Sequence, residues 1–313
     1  MQEIPWLTAQ DVADLVPMHD AVTALRSAFA AGVSHAPRLH LRGATSEFLV
    51  MPAAGPDSFG TKLVTVVPAN AGTSRPIIQG VYALFDAATG SPVALVDAAA
   101  LTTLRTPAVS AVATDALARR DVRTIGVLGT GPQADAHAVA VRTVRPGANS
   151  VVVAGRTRQH VQAVVDKLIG AGFDARPGTF ADAAACDVVC ACTRADQPLF
   201  QRSDVRPGAH LNLVGSYRLD LREVAADVVA GSTVVVDDVA AAKAEAGDLE
   251  YAVREGMWTW DLVAGDLCDA AAARVTRTSD QEITLFKSVG LAVQDLVVAQ
   301  LAAARWAAQQ VNP

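Results

Sequence analysis

TIGVLGTGPQADAHAVAVRTV, residues 124–144, decides how this chain of 313 residues is to be read. An apolar run of strand length, Thr124 to Leu128, leads into Gly129-Thr130-Gly131-Pro132-Gln133-Ala134, and then into a stretch whose apolar residues fall at helical spacing. G-x-G-x-x-A is weak by itself, but between a strand and a helix it has a mechanical meaning. Gly129 permits the tight turn, Gly131 lets the backbone approach a pyrophosphate, Ala134 keeps the helix close to the sheet, and phosphate rests on the helix N-terminus. Pro132 is expected at the first helical position, where its missing N–H costs little. The six residues from Gly129 to Ala134 are the expected pyrophosphate cradle of a dinucleotide.

Immediately downstream, SVVVAGRTRQHVQAVVDKL, residues 150–168, reads as a second strand and helix, the opening of a doubly wound parallel sheet. Further strands are expected at Val188 to Ala191, His210 to Val214 and Thr233 to Val236. An NAD site places an acidic residue at the end of the second strand to hold the ribose 2′-hydroxyl. Here Gly155 is followed by Arg156, Thr157 and Arg158, and two guanidinium forks with a hydroxyl suit a 2′-phosphate. NADP(H) is therefore favoured over NAD(H).

Upstream the period changes. Thr8 to Gly32 reads as two helices interrupted near Pro17, and Leu39 to Val96 as short strands (EFLVM, TKLVTVV, IIQGVYALF, PVALV), with Asp86 to Gly90 as a hairpin connection. After Asp97 the pattern is helical again to Arg120, broken at Arg105-Thr106-Pro107. The last helix, residues 288–310, carries a broad apolar face that must be buried. The expected class is α/β: a Rossmann domain over residues 118–285, and an α+β domain from residues 1–117 together with 286–313.

With 51% hydrophobic residues the chain can bury sizeable cores, and a net charge of −6 with 5% aromatics leaves neither a basic footprint nor stacking platforms for nucleic acid. Residues 1–11 lack a basic head with an apolar run, and no uncharged stretch approaches ~18 residues, so a cytoplasmic protein without a membrane span is expected. Cys186, Cys190, Cys192 and Cys268 lack paired zinc-site spacing, and no metal is expected. Nor do His40, His137 and His210 have ligand-spaced partners; they read as packed or surface side chains. Asp237 and Asp238 end a strand and are read as a helix cap.

The first domain is left to hold the substrate. It offers isolated cations at Arg38, Lys62 and Arg105, which could converge on a carboxylate; Thr106 and Pro107 are read as starting a new helix, which would set Arg105 beside an anion-favouring N-terminus. Taken together, Pro37-Arg38, Met51-Pro52, Gly60-Thr61-Lys62, Gly80 to Asp97, Leu104-Arg105-Thr106, the glycine motif, Pro207 to His210 and Leu285 to Gly290 resemble the ornithine cyclodeaminase and mu-crystallin family in order and over nearly the whole chain. The resemblance implies that Arg38, Lys62 and Arg105 grip the carboxylate of an amino or imino acid. It assigns Thr106, Thr193, Gly215, Ser288, Val289 and Gly290 to the cofactor, and makes the first domain a substrate-binding and dimerisation domain of a homodimer. Asp295 matches a family position, but no role for it follows from the sequence.

Departures from the family pattern bear on the reaction. Where cyclodeaminases carry an aspartate two residues after the glycine of this motif, here Gly215, the chain has Tyr217; where a second acid precedes the Met-Pro pair, it has Leu49. Without those carboxylates a second substrate ammonium would be buried unpaired. The resemblance is closer to the mu-crystallin branch, which reduces cyclic ketimines. The expectation is hydride transfer to the C=N carbon of an imino acid, by a ketimine reductase or an amino-acid dehydrogenase, with Lys62 the leading proton donor and Tyr217 a secondary one or a pocket wall. The alternatives are a cyclodeaminase that makes a proline-type product and releases ammonia, and a crystallin-like dinucleotide-binding protein with little catalysis.

Overall fold

A computed structural model describes residues 3–70 and 72–311. The chain divides into two compact units: Met1–Ala28 with Gly32–Arg105 and Leu291–Pro313, and Phe29–Ala31 with Thr106–Gly290. The sequence placed the first break after Leu117; here it falls between Arg105 and Thr106. The expected domain limits at residues 1 and 313 lie outside the described residues.

The first unit begins with β1 (Trp6–Leu7), α1 (Ala9–Leu15) and α2 (Met18–Ala31). Thr8 caps α1 in a reciprocal capping box with Asp11, and Gly32, at φ +89°, follows α2 where a left-handed residue ends a helix. Five strands follow: β2 (Leu39–Arg42), β3 (Glu47–Ala54), β4 (Ser58–Val66), β5 (Ile78–Asp86) and β6 (Pro92–Asp97). The sheet order is β1-β6-β5-β4-β3-β2, antiparallel throughout except for the short parallel pair of β1 with β6.

Period-two alternation gives this sheet two unlike faces. Leu49, Met51 and Ala53 of β3 and Gly60, Lys62 and Val64 of β4 turn inward, and the C-terminal helix Ala292–Val311 lies across these strands. On the other face, cross-strand partners line up as Leu39–Val50–Leu63–Val81, Leu41–Phe48 and Phe59–Phe85, with Leu39, Leu41 and Phe59 exposed.

α3 (Ala98–Leu117) corrects the sequence reading of this region. It is one continuous helix whose first turn is capped by Asp97 through the Ala100 N–H, and Pro107 lies inside it, so Arg105 is not beside an N-terminus and Thr106 is not a cap. Pro107 has no N–H to offer the turn before it, which normally breaks a helix. Every residue from Arg105 to Thr114 is buried, and that packing holds the helix together through the proline.

The second unit runs β7 (Thr124–Leu128), α4 (Ala134–Val144), β8 (Ser150–Ala154), α5 (Arg158–Gly170), β9 (Asp174–Pro177), α6 (Phe180–Ala184), β10 (Val188–Ala191), β11 (His210–Leu213), α7 (Ala226–Ala230), β12 (Thr233–Val236), α8 (Val239–Glu245), α9 (Gly247–Arg254), β13 (Val263–Asp266), α10 (Leu267–Ala271) and β14 (Thr284–Lys287). The C-terminal helix of the first unit is α11. The eight strands form one parallel sheet in the order β13-β12-β14-β11-β10-β7-β8-β9. From β7 the chain winds outward to β8 and then back to β10 on the opposite side, a topological switch point of the kind where nucleotides bind. Apolar cores cover both faces of this sheet, as a parallel sheet requires. Among the described residues no helix is long and apolar enough to cross a membrane, and none forms a metal-binding cluster.

Candidate active site

Strand alternation turns Lys62 inward from β4, next to Tyr82 on β5. Its ammonium meets Asp295 Oδ2 at 2.8 Å and donates to Thr102 Oγ1 at 3.2 Å. Arg105, from α3, sets Nε 3.4 Å from the other carboxylate oxygen of Asp295 and donates from Nη1 to Gln294 Oε1 at 2.7 Å. Gln294 and Asp295 occupy the first turn of α11, where the helix dipole favours an anion. Lys62, Arg105 and Asp295 are all buried, Asp295 completely. Arg38, half-buried in the loop before β2, adds a third positive charge that is felt at Lys62.

Burial brings the Lys62 pKa down to about 8, with the charges of Arg105 and Arg38 adding to the fall and Asp295 opposing it. The lysine is thus an ammonium at neutral pH that gives up its proton readily. Tyr82 is fully buried, its hydroxyl has no hydrogen-bond partner among the described residues, and burial together with the Asp295 charge pushes its pKa up, keeping the phenol protonated. Its ring lies across Gly60, where a Cβ would come within 2.1 Å of the hydroxyl oxygen, and this close approach is why glycine stands inside β4. Leu49 is buried on the same face of β3 as Met51, two residues before it, and presents an aliphatic side chain there.

The glycine loop of the second unit has the shape of a phosphate cradle. Gly129 takes φ +118°, and a Cβ there would meet the Cys192 carbonyl oxygen at 2.8 Å. At Gly131 a Cβ would meet nothing within 4 Å, so the backbone is open to an approaching ligand. Ala134, fully buried, begins α4, and Gln133 in the N-cap position makes no side-chain cap hydrogen bond. α4 thus starts two residues after Pro132, which lies in the turn rather than at the first helical position the sequence suggested: the loop completes its turn before the helical hydrogen bonds begin. Gly155 lets the end of β8 come down on Thr130, and from there Arg156, Thr157 and Arg158 project as exposed residues. Thr157 caps α5 in extended conformation without a side-chain hydrogen bond. These residues fit a dinucleotide: an open glycine turn, a helix start for the pyrophosphate and an exposed cationic corner for the adenosine ribose.

The remaining expected cofactor residues, Thr106 apart, stand just after strand ends. Thr193 follows β10 and Gly215 follows β11, each donating its N–H to Glu223. The N–H groups of Val289 and Gly290 and the hydroxyl of Ser288 donate to Asp237 Oδ2 at 2.7–2.9 Å, so that Asp237 holds this segment, while Asp238 caps α8. Thr106 is buried in α3. Tyr217 is half-buried against the apolar core of the second unit. His137 and His210 are buried, and desolvation pulls their pKa values down to about 4 and about 3, as befits neutral packed side chains. Asp295 and Tyr82 are the residues to which sequence reasoning gave no role.

Residues 5–310 match the sequence profile of the ornithine cyclodeaminase/mu-crystallin family. A Delta(1)-pyrroline-2-carboxylate reductase of Bacillus cereus is 38% identical over 260 residues, 80% of this chain and 79% of the relative. Among solved structures, Thermococcus litoralis Delta(1)-pyrroline-2-carboxylate reductase in complex with NADH and L-proline superposes with a TM-score of 0.94 at 28% identity, covering 98% of each chain. An archaeal alanine dehydrogenase dimer with bound NAD superposes with a TM-score of 0.93, also at 28% identity, covering 99% of this chain and 98% of that one.

Proposed function

The chain belongs to the ornithine cyclodeaminase/mu-crystallin family, and we propose that it is a nicotinamide-dependent reductase of small imino acids, with cyclic ketimine carboxylates as its substrates. The observation that carries this reading is the buried cluster in which two cations, Lys62 and Arg105, share the single carboxylate of Asp295, with the Arg38 charge felt at Lys62: a site whose positive charge suits a substrate carboxylate.

In this reading Arg38, Lys62 and Arg105 bind the carboxylate, and the guanidinium groups fix its plane. When bound, a reduced nicotinamide supplies the hydride that adds to the imine carbon. Lys62 supplies the proton: as the C=N carbon accepts the hydride, the nitrogen takes a proton from Nζ, giving the saturated amine and a neutral lysine that is reprotonated from solvent. A pKa brought down to about 8 suits a group that must be charged before the step and neutral after it. Leu49 supports an imino acid rather than a diamine, since the aliphatic side chain offers a second ammonium no partner.

NADP(H) is the preferred cofactor in this reading, because Arg156, Thr157 and Arg158 present two guanidinium groups and a hydroxyl where a 2′-phosphate would lie. The apolar outer face of the six-stranded sheet, with Leu39, Leu41 and Phe59 exposed, supports a homodimer formed through that face. A cavity of about 530 Å³ at the start of β4 is lined by His35, Pro52, Phe59, Thr61 and Phe85 together with Ala53 and Gly60. Four unbridged cysteines suit a cytoplasmic, reducing compartment.

The test is NADPH absorbance over time with five- and six-membered cyclic ketimine carboxylates, with pyruvate plus ammonium and ornithine run in parallel. Oxidation that requires the ketimine supports the reductase; turnover with pyruvate and ammonium alone makes the protein an amino-acid dehydrogenase; ornithine converted to proline without net cofactor change overturns the reading.

A further inference from the structure

Behind the glycine loop lies a buried charge cluster that the proposed chemistry does not use. Glu223, Asp248 and Lys287 are all completely buried in the second unit. Glu223 Oε1 accepts from the Thr193 N–H at 2.6 Å and the Thr193 hydroxyl at 2.7 Å, and Oε2 accepts from the Gly215 N–H at 2.9 Å. Asp248 in turn accepts from the backbone N–H groups of Glu223 and Val224 and pairs with Lys287 Nζ at 2.8 Å, while Lys287 donates to the Ser216 carbonyl at 2.8 Å. Thr193 and Gly215 follow the ends of the neighbouring parallel strands β10 and β11, and Gly129, directly after β7, packs against Cys192 and Thr193. A Cβ at Gly215 would overlap the Thr193 backbone and come within 2.6 Å of Glu223 Oε1, so the three strand ends and the carboxylate form one tightly packed floor.

We propose that Glu223 is a positioning residue for the dinucleotide, its ionised carboxylate tying the Thr193 and Gly215 strand ends into the floor beneath the cofactor, with Asp248 and Lys287 supporting it from behind. The inference rests on the dinucleotide reading of this unit. Its chemistry is that of the donor set: the three bonds to Glu223 come from two N–H groups and a hydroxyl, which suit an acceptor-only carboxylate; a protonated carboxyl would turn its own O–H toward a donor. Two carboxylates share one ammonium, and burial together with the Asp248 charge pushes the Glu223 pKa up to about 7, against the pull of Lys287 and Thr193. The other titratable neighbour, the Cys192 thiol, is kept protonated by burial. Below neutrality Glu223 takes a proton and the strand ends lose a tie, so dinucleotide binding weakens as pH falls.

The test is equilibrium binding of NADPH and of NADH to the full chain, followed by nicotinamide fluorescence from about pH 5.5 to about 8.5, with circular dichroism confirming the fold. Wild-type affinity is expected to fall as pH drops through about 7. Glu223→Gln should bind about tenfold more weakly at the alkaline end and show a flat pH profile. Asp248→Asn, which removes the neighbouring negative charge, should move the midpoint to lower pH, and it carries the test should Glu223→Gln fail to fold. A Glu223→Gln chain with wild-type affinity and profile, or an unmoved midpoint in Asp248→Asn, overturns the proposal alone. Failure of the wild-type chain to bind either dinucleotide at any pH overturns the dinucleotide reading and the proposal with it.

Discussion

Asp295→Asn removes one charge from the site while keeping the side chain's shape. The Lys62 Nζ to Asp295 Oδ2 distance is 2.8 Å and both groups are buried. At an effective dielectric constant of about 20 that separation corresponds to about 6 kcal/mol of attraction; the amide oxygen retains part of it, and a net loss of about 3 kcal/mol is about 2 pKa units. Lys62, already down at about 8, should then titrate roughly 2 units lower. The sign follows from the form that acts. The ammonium both grips the carboxylate and gives up the proton, so kcat/KM is high below the Lys62 pKa and declines as pH rises through it. In the wild type the decline is centred near 8, and in Asp295→Asn near about 6. At about pH 7.5 the ammonium fraction drops from about three-quarters to about 3%, a loss of about 25-fold in kcat/KM that shrinks again at acid pH. Initial rates of NADPH oxidation with a cyclic ketimine carboxylate across this range measure it. An alkaline limb left near 8 in the variant would refute Lys62 as the titrating donor or Asp295 as the group that sets it.

Lys62→Met leaves the apolar stem in place and removes both proton and charge; turnover should fall by about 100-fold or more while NADPH binding, followed by fluorescence, is retained. Arg156→Glu should weaken NADPH by about 10- to 100-fold and NADH by much less, since only the former carries a 2′-phosphate for the guanidinium to hold; equal losses in titrations of the two cofactors would remove Arg156 from the adenosine end. Leu41→Asp sets a carboxylate on the exposed apolar face of the six-stranded sheet, and light scattering should report a dimer for the wild type and a monomer for the variant; an unchanged mass puts the interface elsewhere.

The parallel sheet was legible because its signals are local. Gly129 and Gly131 sit where a strand turns into a helix, and central strands such as Val188 to Ala191 are short apolar runs, fully buried as a strand with both faces covered must be. β14 was not legible: Thr284 to Lys287 is four residues ending in a lysine, and it is a strand only because β11 and β12 lie on either side of it. Pro107 misled for a related reason. Local propensity ends a helix there, but residues buried before and after it along α3 hold the helix through it. Where a residue's own type dictates its conformation the sequence speaks, and where distant packing overrides the type it does not.

The same distinction explains why three cations could be picked out while their carboxylate was passed over. Arg38, Lys62 and Arg105 stand out as isolated charges in apolar or loop-like surroundings, whereas Asp295 lies in a terminal helix that reads as an ordinary amphipathic one, far in sequence from Lys62 and Arg105. Yet the signal was there in physical terms. Ala292 to Leu296 is AVQDL, and a helix that is apolar on nearly all sides is buried, so the adjacent Gln and Asp must face inward. A buried carboxylate needs a partner, and a buried lysine needs one too. Pairing the acids that must be buried with the cations that cannot be left alone points from Asp295 to Lys62. Applied to Glu223, Asp248 and Lys287, the same balance leaves one carboxylate over, and an unbalanced buried charge is where dependence on pH should be looked for.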